Sequence, residues 1–322
     1  MKILYSIVLA LALASGQPVL AQEWPDKGTV RVIAPFAPGS TPDIMARLIA
    51  DHLSKSLNKP FVVENKVGAG GMIGTDAIAK AAPDGYTFGV SIGGPLVSNT
   101  MLYKQMAYDP FRDLTPITLA VNQPCVLVAS NKFAGSSVAD LLAELKRNPD
   151  KYNYGSFGNG TMSHMVMVMI ANQTNSQLVQ IPYPGSSQVL AALVAGDVNM
   201  ACIPAAGAMP LVKAGKLKVL GIASAKRFPL LPEVPTLVEQ GLPGIEANSW
   251  MGVVAPAKTP PAVLARIQQE IAKMLKDPEV LKTLHNQYME PVGSTPQEFA
   301  AYMKEELERW GPLIKKNNIT LD

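Results

Sequence analysis

The chain has 322 residues, of which 48% are hydrophobic and 16% charged, with a formal net charge of +3. That is globular composition with material for about two cores, and it excludes a disordered chain. The charge is too small, and basic blocks interleaved with aromatics too few, for a nucleic-acid binder.

The N-terminus reads as a targeting segment. Lys2 supplies a minimal positive region, Ile3 to Ala14 is an apolar run, and Val19-Leu20-Ala21 places small or modest residues where signal peptidase reads. Cleavage after Ala21 leaves Gln22 first in an exported, periplasmic protein. The apolar run is shorter than the ~20 residues of a spanning helix.

Val30 to Phe36 then reads as a buried strand, and Ile44, Leu48, Ile49, Leu53 and Leu57 recur at helical spacing. Phe61-Val62-Val63 is a second strand, followed by a glycine-rich loop, a helix through Ala77 to Ala81, and a third strand at Tyr86 to Ile92. This β-α-β-α-β order implies a parallel sheet with helices on both faces. The pattern restarts with strands at Cys125–Ser130, Tyr152–Ser156, Leu178–Ile181, Val198–Ile203 and Leu217–Ala223. Helices are expected between them at Val138–Leu145, Met162–Ala171, Ser187–Val194 and around Met209–Ala214. A proline- and glycine-rich stretch from Pro229 to Pro261 contains a strand at Met251–Ala255. Amphipathic helices follow at Pro261–Leu275 and Thr295–Ile314. Two lobes are expected, 22–122 with 225–322 and 123–224, the C-terminal helix packing on either. The crossings between them would form a hinge.

Three strand ends run into turns that open helices: Pro35 to Asp43, Gly68 to Gly74 and Gly155 to Thr161. Such turns leave backbone N–H groups free at a helix N-terminus and are ready anion sites. In the first, Thr41 is the expected N-cap, Pro42 suits the first helical position, and Asp43 complements the dipole rather than touching an anion. Phe36 suits either core or a cleft wall; Ser156 and Thr161 either cap their helix or donate to a carboxylate. His164 reads as a histidine satisfied within its helix. One helix terminus contributes roughly 0.3–1 kcal/mol, whereas micromolar binding needs about 8 kcal/mol. Several donors must therefore converge, and the first and third turns fall in different lobes.

Enzyme signals are weak. Gly68 to Gly74 has the wrong final spacing for a dinucleotide fingerprint, and the next strand ends without the expected acidic residue. His52, His164 and His285 are scattered, without metal-ligand spacing. No cofactor and no metal are expected. Cys125 and Cys202 are the two cysteines; export permits a disulfide between them, and their apolar contexts equally suit two buried free thiols.

Together these segments resemble the Bug-type periplasmic receptors of tripartite tricarboxylate transporters. The resemblance rests on Val62-Val63-Glu64-Asn65 with Gly68 to Gly74, on Pro83-Asp84-Gly85-Tyr86-Thr87, and on Tyr108-Asp109-Pro110 leading to Leu114-Thr115-Pro116-Ile117. It continues through Asn153-Tyr154-Gly155-Ser156 with Gly158, Gly160 and His164, Ile181 to Gly185, and Trp250 through Pro260. It spans essentially the whole mature chain. It implies a two-lobed, type II-like Venus-flytrap α/β fold, each lobe a mostly parallel sheet flanked by helices, and a non-catalytic monomer. The cargo would be a small organic anion, a mono- or dicarboxylate, aliphatic or aromatic, passed to membrane permease subunits; the alternatives are an exported enzyme acting on a small carboxylate and a ligand-sensing partner of a membrane receptor kinase. Carried onto this chain, the grip falls on Phe36, Ala37, Pro38, Gly39, Ser40 and Thr41, and on Ser156, Gly158, Asn159, Gly160, Thr161 and His164. Ser91, Gly93, Tyr183, Pro184 and Gly185 would line the remainder. Ser40 stands where the family usually has glycine, Thr41-Pro42 reverses a common order, and Asn199 stands where aspartate is frequent.

Overall fold

The computed structural model describes residues 24–26, 28–316 and 319–321. The expected signal segment and its cleavage site lie outside the described residues.

The first half follows the expected alternation. Strand β1 (Val30–Ala34) leads into helix α1 (Thr41–Leu57), then β2 (Phe61–Asn65), α2 (Met72–Ala79) and β3 (Thr87–Ile92). β1 pairs in parallel with both β2 and β3. Met45, Ile49 and Leu53, spaced for one helical face, are fully buried against the sheet. After β3 comes a π-helical turn, Gly94–Ser98, and two short helices, α3 (Asn99–Leu102) and α4 (Pro110–Asp113).

Strand β4 (Leu114–Ser130) is the architectural surprise. Sequence reading expects only Cys125–Ser130, because Pro116 and Pro124 interrupt the apolar pattern and proline argues against a central strand. The register slips at Pro116, and Pro124 marks where β4 leaves one sheet half for the other. Its first part pairs with β9 (Asn248–Pro256), and its last residues pair with β7 (Met200–Pro204) and β8 (Leu217–Ile222). The second half otherwise matches expectation: α5 (Val138–Arg147), β5 (Asn153–Ser156), α6 (Met162–Thr174), β6 (Val179–Pro182), α7 (Ser186–Ala195) and α8 (Ala205–Lys213). The chain closes with α9 (Pro261–Met274), α10 (Pro278–Asn286), a two-residue β10 (Glu290–Pro291) and α11 (Pro296–Lys316).

The strand path is β2-β1-β3-β9-β4-β7-β5-β6. Read outward from β4, each half has three parallel strands and an antiparallel neighbour contributed by a strand crossing between the halves. This is a two-lobed α/β fold, and β4 and β9 are the strands that cross between its halves. Leu237, Leu242, Ile245 and Ala247 pack into the core of the second half, so the chain returns only at Asn248. Helix α11 serves both halves. Phe299 and Met303 join the core around Trp250, while Trp310 and Ile314 join the core around β5 and α6.

The cysteine question resolves toward thiols. Cys125 and Cys202 are free and buried, lying two residues out of direct register on neighbouring antiparallel strands. A hydrogen bond with Cys125, with burial behind it, pushes the Cys202 thiol well up.

Candidate ligand-binding site

The cleft lies where β1, β3, β5 and β7 end, the crevice at strand C-termini that open α/β sheets use for ligands. Its inner chamber is lined by Phe36, Ser40, Thr41, Ile92, Phe157, Ser186, Pro204 and Ser249 among others. These residues come from both halves and from the crossing strand β9. An outer chamber of ≈ 550 Å³ runs past Gly68 to Gly71 on one side and Phe157 to Asn159 and Pro182 to Pro184 on the other. Phe36 and Phe157 meet edge to face at 5.9 Å and separate the chambers. No charged side chain lines either chamber.

An anion here must therefore be held by dipoles. Three helix N-termini face the inner chamber or its flank: α1 through Thr41 and Pro42, α7 through Ser186, and α6 through Met162. First-turn amides have no carbonyl within their own helix to bond. Partly buried helix termini reach up to ~2 kcal/mol each toward a negative charge. The N-terminus of α7 goes unnoticed as a charge-bearing element in sequence reading, because Tyr183-Pro184-Gly185 draws attention as a wall rather than as a helix entry.

The first turn is built differently from expectation. The N-cap of α1 is Ser40, not Thr41, and its side chain makes no capping bond. Thr41 is the first helical residue. The Gly39 N–H donates to Asp43 Oδ2 at 2.9 Å, and the Ser40 N–H donates to the Ala37 carbonyl at 3.1 Å. Those two amides are committed to shaping the loop. Asp43 also accepts from Arg47 and from Asn65 Nδ2. Burial alone would raise its pKa, but the bonds from Arg47, Gly39 and Asn65 outweigh it and hold the carboxyl below its ordinary value. Asp43 is thus a loop-builder with its charge turned away from the chamber and answered by Arg47. What the first turn offers cargo is the Thr41 terminus and the Ser40 hydroxyl. Ser40 is buried, and its Oγ has no hydrogen-bond partner; an unmet buried hydroxyl costs roughly 1–3 kcal/mol.

In the third turn, the Phe157 N–H donates to Ser163 Oγ, the Gly158 N–H to Ser156 Oγ, and the Gly160 N–H to His164 Nδ1 at 3.2 Å. Ser156 also accepts from Gln180 Nε2 at 2.7 Å. Ser156 and His164 therefore hold the loop. Burial drives the His164 pKa down to about 4, so the imidazole is neutral at pH 7 and keeps its acceptor nitrogen on Gly160. Thr161 Oγ1 donates to the Gly158 carbonyl. Ser91 is fully buried and shares a hydrogen bond with Thr75 at 2.7 Å, beneath the chamber rather than in it. Gly93 borders a small side space with Trp250 and Met162. Gly158, Asn159, Tyr183 and Pro184 line the outer chamber, and Gly185 lies close against Ala37. Ile92 and Phe157 fall inside the stretches expected to line the site, Ser91 to Gly94 and Ser156 to Thr161; Ser186, Pro204 and Ser249 join it without having been singled out. Among the described residues no cluster of His, Cys, Asp or Glu has metal-binding geometry.

Comparison with known proteins gives this arrangement its family. Residues 45–319 match the family described as "Tripartite tricarboxylate transporter family receptor". The chain belongs to that family. BugT of Bordetella pertussis is 32% identical over 305 residues, covering 94% of this chain and 93% of BugT. Among solved structures, Rpa4515 of R. palustris with adipate is 32% identical, with TM-score 0.88 over 92% of this chain and 99% of its own. MatC from Rhodopseudomonas palustris with bound malate is 31% identical, with TM-score 0.84 over 89% and 98%. The tripartite tricarboxylate receptor fold explains the crossing strands and the cleft at the strand ends. Among the described residues no helix is long and apolar enough to cross a membrane.

Proposed function

We propose that this tripartite tricarboxylate receptor is exported by cleavage after Ala21, works in the periplasm as a monomer without catalysis, and captures a small organic carboxylate between its lobes for delivery to membrane permease subunits. The observation that carries this reading is the inner chamber. Helix N-termini from both lobes face a space with hydroxyls at Ser40, Thr41, Ser186 and Ser249 and no charged side chain. Positive partial charge without a cation suits one carboxylate, and the Ser40 hydroxyl gains a partner when that carboxylate arrives. Adipate and malate in two relatives are carboxylates of the size contemplated. Phe36 and Phe157 would flank the carbon chain, and the outer chamber would take the far end.

The test is a thermal-shift panel of malate, adipate and benzoate on protein unfolded and refolded to strip retained cargo. At least one carboxylate should raise the melting temperature at millimolar concentration. Silence across a broad organic-acid panel, or turnover of a compound that binds, would overturn the reading.

A further inference from the structure

The turns that close the cleft meet each other as well as the cargo space. Gly70 and Gly158 approach so closely that a Cβ on Gly158 would lie 2.6 Å from Gly70 Cα, and a Cβ on Gly70 would lie 2.7 Å from the Asn159 carbonyl oxygen. Further in, Ser98 Oγ donates to the Gly160 carbonyl at 3.0 Å, a buried bond between groups 62 residues apart. Gly94 packs on the same carbonyl, and a Cβ there would stand 3.2 Å from it. Ser98 ends the π-helical turn that follows β3, a departure from regular helix that recurs at functional positions. The turn is pinned to its own half by Leu96 and Val97 in the core and by Tyr108 Oη donating to the Pro95 carbonyl at 2.8 Å. Gly160 belongs to the other half, held by His164.

We propose that Ser98, with the glycines at 70, 94, 158 and 160, forms a closure latch joining the two lobes. Ser98 is a positioning residue: its bond to Gly160 stabilises the closed state relative to the open one. The glycine run at 68–71, which looks like an anion loop in sequence, serves here to let two backbones touch. Closing also seals the Asn99 side chain, fully buried with both its oxygen and its nitrogen unpaired. That desolvation opposes the latch and leaves the ligand-free lobes poised between states rather than locked.

The latch is testable without knowing the cargo. A Cβ built on Gly185, whose φ of −175° any residue adopts, lies 3.7 Å from Ala37 Cβ across the cleft, within the span of a disulfide. The double variant Ala37→Cys/Gly185→Cys should therefore cross-link when the lobes close, at a rate proportional to the closed population. The oxidant is oxidised glutathione, which takes the two electrons and becomes two thiols; the native cysteines are buried. In that background Ser98→Ala should slow cross-linking about 3–10-fold with an unchanged melting temperature before oxidation. Gly94→Ala tests the same contact sterically, since its helical φ accepts alanine and the atoms it would meet belong to Gly160 and Thr161; it should slow cross-linking at least as much. Equal rates in the parent and both variants, or a parent that never cross-links, would overturn the latch. None of these outcomes depends on whether a carboxylate binds.

Discussion

Asp43 and His164 are the two buried ionisable side chains that shape the cleft turns, and neither lines the inner or the outer chamber. Asp43 gathers the Gly39 amide, the Asn65 amide and the Arg47 guanidinium. Asp43→Ala strands those donors, and urea denaturation should show a loss of about 2 kcal/mol, with carboxylate affinity falling because the Ser40–Thr41 terminus is no longer held. Asp43→Asn keeps an acceptor for one donor and should lose less. His164 makes the protein acid-sensitive in a defined window. Its unfolded pKa is 6.5 and its folded value about 4, so between those values the unfolded chain holds the extra proton. The stabilisation is full above pH 6.5, falls as pH drops toward 4, and levels off below, amounting to about 3 kcal/mol. His164→Gln should flatten that part of the stability–pH curve in denaturant titrations at pH 4 to 7. An unchanged curve would mean that the imidazole is solvated.

At the scale of elements, the crossing strand β9 and the C-terminal helix work as a unit. Glu306 on α11 is buried and accepts from the indole N–H of Trp250 at 3.0 Å and of Trp310 at 3.2 Å, while Arg309 pairs with its other oxygen. Trp250 sits on the crossing strand β9 beside Ser249, so α11 clamps a strand that lines the inner chamber. Glu306→Ala leaves two buried indole donors unpaired, for a loss of about 2–4 kcal/mol. Two of the three tryptophans in the chain are involved, so the loss should come with a red shift of native fluorescence as water reaches the indoles. Glu306→Gln keeps one acceptor and should fall between. Sequence reading placed α11 and most strands because their apolar periodicity is strong. It missed the first half of β4, whose prolines sit at a register slip and at the lobe crossing, and α10, a short amphipathic helix opened by Asp277 and Pro278. It also could not tell which loop amides remain free. Gly39 and Gly160 are spent on Asp43 and His164, acceptors that lie four residues further along the chain but act only once the turn is folded.

For the whole molecule, a strand shared by both sheet halves decides how the lobes come apart. The two-lobed architecture was legible because the β-α-β pattern restarts after residue 123. The inner chamber was only partly so: Ser186 and Ser249 join Ser40 through tertiary folding alone, with more than 60 residues separating each from the next in the sequence. Because β4 runs unbroken from Leu114 to Ser130 and pairs in both halves, unfolding either lobe strips hydrogen bonds from the other. Calorimetry should therefore show a single transition. A carboxylate held between the lobes, as proposed, cannot bind once either has unfolded. At 100 times its Kd it should add about 2.7 kcal/mol. With an unfolding entropy near 2.1 cal/mol/K per residue, a chain of roughly 300 residues gains about 4 °C in Tm. That gain should appear as a shift of the whole peak. Two resolved transitions, with only one of them moving on addition of malate or adipate, would mean that the lobes are stabilised separately and that cargo rests on one of them.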